Sequence, residues 1–358
     1  MRRPYLFFPL VFLVTLNAAA QEFSSRIDSL FKKYDGTDVP GVSVIIIKDG
    51  NVIYKRSYGL ADLEAEEPVT TSTCFRLASV TKQFTAMSVM ILAERKKLSY
   101  DNTLSDYFPD FSSPGKKITV RHLLNHVSGL IAYEDVMPES TMVPLLDNDV
   151  LALLKKKDST YFAPGAEYRY SNSGYALLAL IVEKASGMSF AQFLRENIFA
   201  PLQMTSSVAY EKGISTVPNR AYGYSLRDSL DEQSFIRTDQ SMTSSVLGDG
   251  GIYSSTEDLF KWDQSLYTTK LVSSTALDQA FTPNILPDGK NSEYGFGWRI
   301  STYRETRCLH HSGSTIGFRN EIQRYPEKYF SVIVLTNRDG GDPGALAYSI
   351  ADIYLFGL

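Results

Sequence analysis

The chain has 358 residues, of which 44% are hydrophobic and 21% charged, and a net charge of −4 at pH 7. That balance excludes an intrinsically disordered chain, leaves length for one large domain or two modest ones, and argues against nucleic acid as a partner.

At the N-terminus, Arg2 and Arg3, an apolar run from Tyr5 to Leu16 and then Ala18-Ala19-Ala20 predict a secretory signal peptide over residues 1–20, cut after Ala20. The run contains Pro9 and is too short for a spanning helix, which needs about 20 residues. A retained anchor is the alternative. No cysteine stands near the cut to accept a lipid, so a periplasmic or secreted protein without stable membrane insertion is expected. Cleavage removes two arginines and no acid, which moves the net charge from −4 to −6. Cys74 and Cys308 permit a disulfide in such a compartment, and their positions in sequence leave the pairing open.

Ser24 to Tyr34 carries apolar residues at helical spacing and predicts a surface helix. Val42 to Lys48 and Val52 to Tyr58, separated by Asp49-Gly50-Asn51, predict a β-hairpin. Ser79 to Leu98 is apolar on every face until Glu94-Arg95-Lys96-Lys97, the pattern of a buried helix. From about Asp101 to Gln240 helical patterns dominate, among them Val120 to His126 and Ser173 to Ala185, and strand signals are sparse. Strand composition returns at Gly297 to Tyr303, Glu305 to His311, Phe318 to Tyr325 and Tyr329 to Thr336, before a closing helix from about Pro343. The expected fold is α/β (α+β): an antiparallel sheet flanked by helices, with an inserted, mostly helical lobe. One domain over 21–358 is expected, its α/β lobe made of about 24–75 and 245–358 and its helical lobe of about 76–244.

Three motifs carry chemistry. In Ser79-Val80-Thr81-Lys82 a serine and a lysine stand three residues apart at the mouth of the buried helix, where they share a face. A serine hydroxyl needs a neighbour to take its proton, and burial disfavours a charged ammonium, which lets a lysine act as base or relay. Ser-x-x-Lys also occurs at Ser29 to Lys32, on a charged amphipathic segment, and at Ser113 to Lys116, in a Pro-Gly turn not expected to hold helical register. Tyr170-Ser171-Asn172 enters a helix from a loop. It reads either as a helix cap with a core tyrosine or as a proton acceptor beside Lys82 with an amide offered to substrate. His311-Ser312-Gly313 follows a strand-like run, and Gly313 would let a substrate backbone come close.

Other patterns are weaker. His122 and His126 lie at i and i+4 without the glutamate of the zinc protease motif, and no metal is expected. Gly248-Asp249-Gly250-Gly251 matches neither a P-loop nor a dinucleotide fingerprint and reads as a close-packed loop. A Gly-x-Ser-x-Gly elbow is absent from the sequence, which argues against the α/β-hydrolase fold.

The order and spacing of the three motifs resemble the serine β-lactamase and penicillin-binding superfamily, in the branch that holds class C β-lactamases, DD-peptidases and related esterases. Supporting segments include Phe75 to Ala78, Leu123 to Leu130, Gly250 to Ser254, Tyr294 to Trp298 and Gly317-Phe318. The resemblance covers about Val39 to the C-terminus. It implies Ser79 as the acylated nucleophile, Lys82 and Tyr170 as the proton-handling pair, Asn172 as a substrate-amide contact, and His311 beside the pocket. The oxyanion hole it implies is made by the backbone N–H groups of Ser79 and Ser314, and no cofactor is implied.

One departure stands out: class C β-lactamases carry lysine where this chain has His311, and histidine carries less charge at neutral pH. Arg319 is a candidate replacement for that charge, or a surface arginine. The expected activity is an exported serine hydrolase acting on a small-molecule or peptide ester or amide, including a D-amino-acid peptide. The alternatives are a class C-like β-lactamase and a non-catalytic module that binds cell wall or protein on the same fold.

Overall fold

In Val42–Lys48 (β1) the run Val42-Ser43-Val44-Ile45-Ile46-Ile47 shows no polar alternation, because both faces of this strand are covered. Val44 and Ile46 face one apolar cluster, with Ile27, Phe31, Val332, Val334, Ala347 and Ile350. Ile45 and Ile47 face the other, with Phe84, Leu309, Ile322 and Ile333. The computed structural model describes residues 21–228 and 231–358, so the predicted signal segment 1–20 lies outside the described residues.

β1 turns at Asp49 and Gly50, both at positive φ, into Asn51–Tyr58 (β2), as the Asp-Gly pair predicts. The other strands of the sheet come from the far end of the chain: Arg299–Tyr303 (β3), Thr306–Thr315 (β4), Phe318–Tyr325 (β5) and Phe330–Thr336 (β6). Their order is β3-β4-β5-β6-β1-β2, antiparallel throughout. β2 forms one edge and turns Lys55 and Arg56 outward, charges that discourage further strand pairing.

Helices cover both faces. Residues 21–30 (α1) and Pro343–Ala351 (α6) close the outer face around Ile27, Phe31, Ala347 and Ile350. On the inner face lie Lys82–Glu94 (α2), Val120–Leu124 (α3), Asn172–Ser186 (α4) and Thr256–Ser265 (α5). α2 is buried from Lys82 to Leu92, which accounts for its all-round apolar sequence. α4 ends at Gly187 in a left-handed cap, a conformation glycine adopts without a Cβ penalty. The α/β architecture with an antiparallel sheet and an inserted helical region is the one expected from the sequence.

Three details differ. Tyr224–Asp228 and Asp231–Arg237 pair as a hairpin in a stretch with few strand signals. It is tied to the end of β6 by the Tyr224 N–H on the Asn337 carbonyl and the Asp339 N–H on the Tyr224 carbonyl, contacts that composition does not report. β4 runs on to Thr315, so His311-Ser312-Gly313 lies within a strand rather than after one. Pairing of Ser312 with Glu321 and Gly313 with Asn320 outweighs the weak strand preference of these residues. Ser113–Lys116 does form one 3₁₀ turn, since proline lacks only an N–H that a first turn leaves unpaired anyway. Lys116 is exposed there.

Candidate active site

Ser79 is delivered by a turn tied to the sheet on its N-terminal side. Phe75–Arg76 pairs antiparallel with Ile252–Ser254, and the Leu77 N–H donates to the Ile252 carbonyl at 2.8 Å. Ala78 follows at φ +49, a left-handed backbone that costs a residue with a Cβ about 1–2 kcal/mol. Ala78–Thr81 then make a 3₁₀ turn before α2 begins. Side chains at i and i+3 eclipse in that geometry, which stacks Ser79 over Lys82, and Lys82 Nζ donates to Ser79 Oγ at 3.1 Å. Ser79 is half-buried among buried neighbours and opens on a cavity.

The Lys82 side chain is fully buried. Its other hydrogen bonds go to Asn172 Oδ1 and to the Asp249 main-chain oxygen, both at 2.8 Å. Nζ also lies 5.0 Å from the centre of the Tyr170 ring and 5.7 Å from that of Tyr175. Asn172 opens α4 directly after Ser171, whose hydroxyl accepts the Gly174 N–H, so the tripeptide is a helix cap and a neighbour of Lys82 at once. Asn172 Nδ2 donates to Glu134 Oε1 at 2.7 Å, so both ends of the amide expected to meet substrate are engaged by the protein. The Tyr170 hydroxyl is buried and has no hydrogen-bond partner among the described residues.

The turn Leu247–Gly250 presents the Asp249 carbonyl. The Asp147 carboxylate accepts the N–H groups of Leu247 and Gly248 at 2.9 and 3.0 Å, and Thr85 donates to the Gly248 carbonyl at 2.7 Å. A Cβ on Gly248 would lie 2.3 Å from the Tyr175 carbonyl oxygen, so the close packing read from the sequence is real and also serves the site. Burial pushes Asp147 up to about 7 and Asp249 up to about 6, the latter despite the nearby Lys82 charge.

His311 is buried against Tyr294. Its Nδ1 lies 2.7 Å from the Ser312 carbonyl, an acceptor only, so Nδ1 carries the proton and Nε2 accepts from the Tyr294 hydroxyl at 2.9 Å. Burial, then the charges of Lys82 and Arg299, hold its pKa well below the usual 6.5. The ring is therefore neutral at pH 7. The group that comes close to Gly313 is the chain's own Leu77 carbonyl, 2.0 Å from where a Cβ would stand. The absence of a Cβ at Gly313 is thus required by the packing of the chain itself. Arg319 likewise supplies no spare charge, because it pairs with Asp339 and donates to the Phe318 carbonyl.

The cavity over Ser79 measures about 70 Å³ and is lined by Arg76, Glu134, Asn172, Asp249, Ser314 and Thr315 among others. A larger cleft of about 570 Å³, between Tyr107 and Ser189, contains none of the motif residues. Glu134, Asp249, Tyr294 and Arg299 were not assigned to the site from sequence. Asp249 and Tyr294 lie in or next to glycine-rich segments that the sequence marks, whereas nothing local marks Glu134.

His122 accepts the Thr119 N–H through Nδ1, and His126 has turned away at the end of α3, at φ +59. Among the described residues no three His, Cys, Asp or Glu side chains could hold a metal ion. Cys74 and Cys308 are free and buried in different clusters. Among the described residues no single helix is long and apolar enough to cross a membrane.

Residues 27–355 match the family model described as Beta-lactamase. Penicillin-binding protein 4* of Bacillus subtilis is 34% identical over 83% of this chain and 68% of its own length. A D-aminopeptidase of Brucella canis is 29% identical over 84% of this chain, which spans 57% of that relative. Among solved structures, the octameric penicillin-binding protein homologue from Pyrococcus abyssi superposes with a TM-score of 0.80 at 29% identity, over 93% of this chain and 77% of that one.

Proposed function

The chain belongs to the beta-lactamase family of serine hydrolases, and from that premise we propose that it is an exported enzyme that cleaves an ester or amide through an acyl-enzyme on Ser79. The observation that carries this reading is the 3.1 Å contact between Ser79 Oγ and a fully buried Lys82 at the mouth of a cavity. Ser79 Oγ attacks the substrate carbonyl as its proton passes to the Lys82–Tyr170 pair. The backbone N–H groups of Ser79 and Ser314 receive the oxyanion, the leaving group takes the proton, and water then hydrolyses the ester.

The kinship with a D-aminopeptidase supports a D-amino-acid peptide or amide as substrate. The neutral His311 argues for slow β-lactam turnover, since it offers no cation for a β-lactam carboxylate. Export rests on the signal read over residues 1–20, and the N-terminus of the mature protein from its native cell is expected at Gln21.

The test is a panel of p-nitrophenyl esters, D-amino-acid amides and a chromogenic cephalosporin, run on wild type and Ser79→Ala in parallel, with a fluorescent phosphonate adduct mapped by mass spectrometry. Turnover and labelling on Ser79 are expected, and both should be lost in Ser79→Ala. Labelling that survives Ser79→Ala refutes the assignment. No adduct and no hydrolysis across the panel would point to a binding module.

A further inference from the structure

We infer that His126 is a positioning residue for Tyr170: it holds the main chain on both sides of that tyrosine and so sets where its hydroxyl points. The inference rests on the proposed roles of Ser79, Lys82 and Tyr170.

The need for such a device follows from Tyr170 itself. Its hydroxyl has no hydrogen-bond partner among the described residues, so nothing at the tip of the side chain fixes its direction. A group meant to move a proton loses effectiveness steeply when displaced, by about 100-fold for 1 Å. Its orientation must therefore come from the base of the side chain and from ring packing.

His126 supplies both. Its carbonyl accepts the Arg169 N–H at 3.0 Å, and its ring Nδ1 accepts the Ser171 N–H at 3.0 Å. The residues before and after Tyr170 are thus tied to one residue that lies 45 positions before Ser171. The His126 ring packs 4.3 Å from the Tyr170 ring, 4.4 Å from Tyr294 and 5.0 Å from Tyr175. His126 is fully buried and sits at φ +59, which lets its carbonyl and its ring reach the same strand of chain.

Because a backbone N–H can only donate, Nδ1 is the bare nitrogen and Nε2 bears the proton. Burial and the charges of Lys82 and Arg299 keep the ring neutral, so this acceptor is not titrated away near neutral pH. Ser171 also caps α4, and Asn172 receives Lys82, so the same clamp keeps Tyr170 in register with the lysine.

The experiment compares His126→Asn, His126→Gln and His126→Phe in the full chain, with Ser79→Ala alongside. Hydrolysis of p-nitrophenyl acetate (kcat, KM and pH profile) and melting temperature are measured for each. Asparagine places an oxygen where Nδ1 stands and tolerates positive φ, glutamine places it one bond further out, and phenylalanine keeps the packing without an acceptor.

His126→Asn is expected to keep kcat within about 5-fold of wild type. His126→Gln and His126→Phe should lose about 100-fold in kcat with KM little changed. Wild-type rates in His126→Phe, or equal rates in the Asn and Gln variants, overturn the inference. If His126→Phe fails to fold, the Asn and Gln pair still decides, and equal destabilisation of all three assigns His126 to folding alone and overturns it. No wild-type turnover, or turnover that survives Ser79→Ala, defeats the underlying reading instead.

Discussion

Among the described residues, Arg324 and Lys82 are fully buried cations beneath the sheet, and they are compensated in opposite ways. Arg324, on β5, is 1% exposed and meets the Asp263 carboxylate at 2.6 Å, with Ser331 donating to the same oxygen and the rings of Tyr267 and Trp298 alongside. Lys82, on α2, meets only neutral oxygens: a hydroxyl, a side-chain amide and a main-chain carbonyl. Carboxylates stand one step further out: Glu134 beyond Asn172, and the buried Asp249 side chain, which feels the Lys82 charge without bonding it. A charge matched by a carboxylate is locked in an ion pair, whereas Lys82, held by neutral acceptors, shares its hydrogen bonds with the nucleophile itself. The first arrangement suits architecture and the second suits chemistry.

The largest expected effect separates the two directly. Lys82→Met keeps the volume and removes the charge, so esterase kcat/KM should fall by at least about 10³-fold. The melting temperature is expected to hold or rise, because a buried charge with no carboxylate bonded directly to it is costly to keep. A large loss of stability in this variant would erase the contrast.

Arg324→Met should do the reverse. It strands a buried Asp263 carboxylate and is expected to cost about 3–5 kcal/mol in chemical denaturation, with kcat of the folded fraction within a few-fold of wild type. Adding Asp263→Leu removes the stranded charge and should recover part of the loss. If the double variant is no more stable than the single one, the pair is not acting as a matched charge.

The smallest effect sharpens the picture around Lys82. His311 is held well below 6.5 by burial and then by the Lys82 charge, so the folded protein binds this proton later than the unfolded chain does. Its contribution to stability is present above pH 6.5 and is lost as pH falls below that value, at most about 1.4 kcal/mol per pH unit. Denaturation of wild type and His311→Gln from pH 7 to 5 should show the shallower decline in the variant. Esterase activity should show no limb near 6.5 from this residue, and an imidazole NMR titration of His311 in Lys82→Met should move upward.

How much could be read in advance depended on whether a signal was local. β1, β2, α2, α4 and the C-terminal strands were legible because burial on one or two faces writes itself into nearby residues. The Ser79–Lys82 contact was legible for the same reason, since residues three apart on a helical turn share a face. The hairpin at Tyr224 to Arg237 was not, because its anchor is the backbone at Asn337 and Asp339.

The amino-acid sequence by itself determined the sheet, the buried helix, the three motifs and their family, all of which rest on periodicity and short spacing. Only the tertiary structure decided which partners each motif residue meets. Asn172 and Asp249 converge on Lys82 from 90 and 167 positions away, His311 turns to Tyr294, Arg319 is taken by Asp339, and Leu77 fills the space beside Gly313. The reason is physical: hydrophobic pattern records how deeply a residue is buried, whereas strand register and turn geometry choose the neighbours it is buried against.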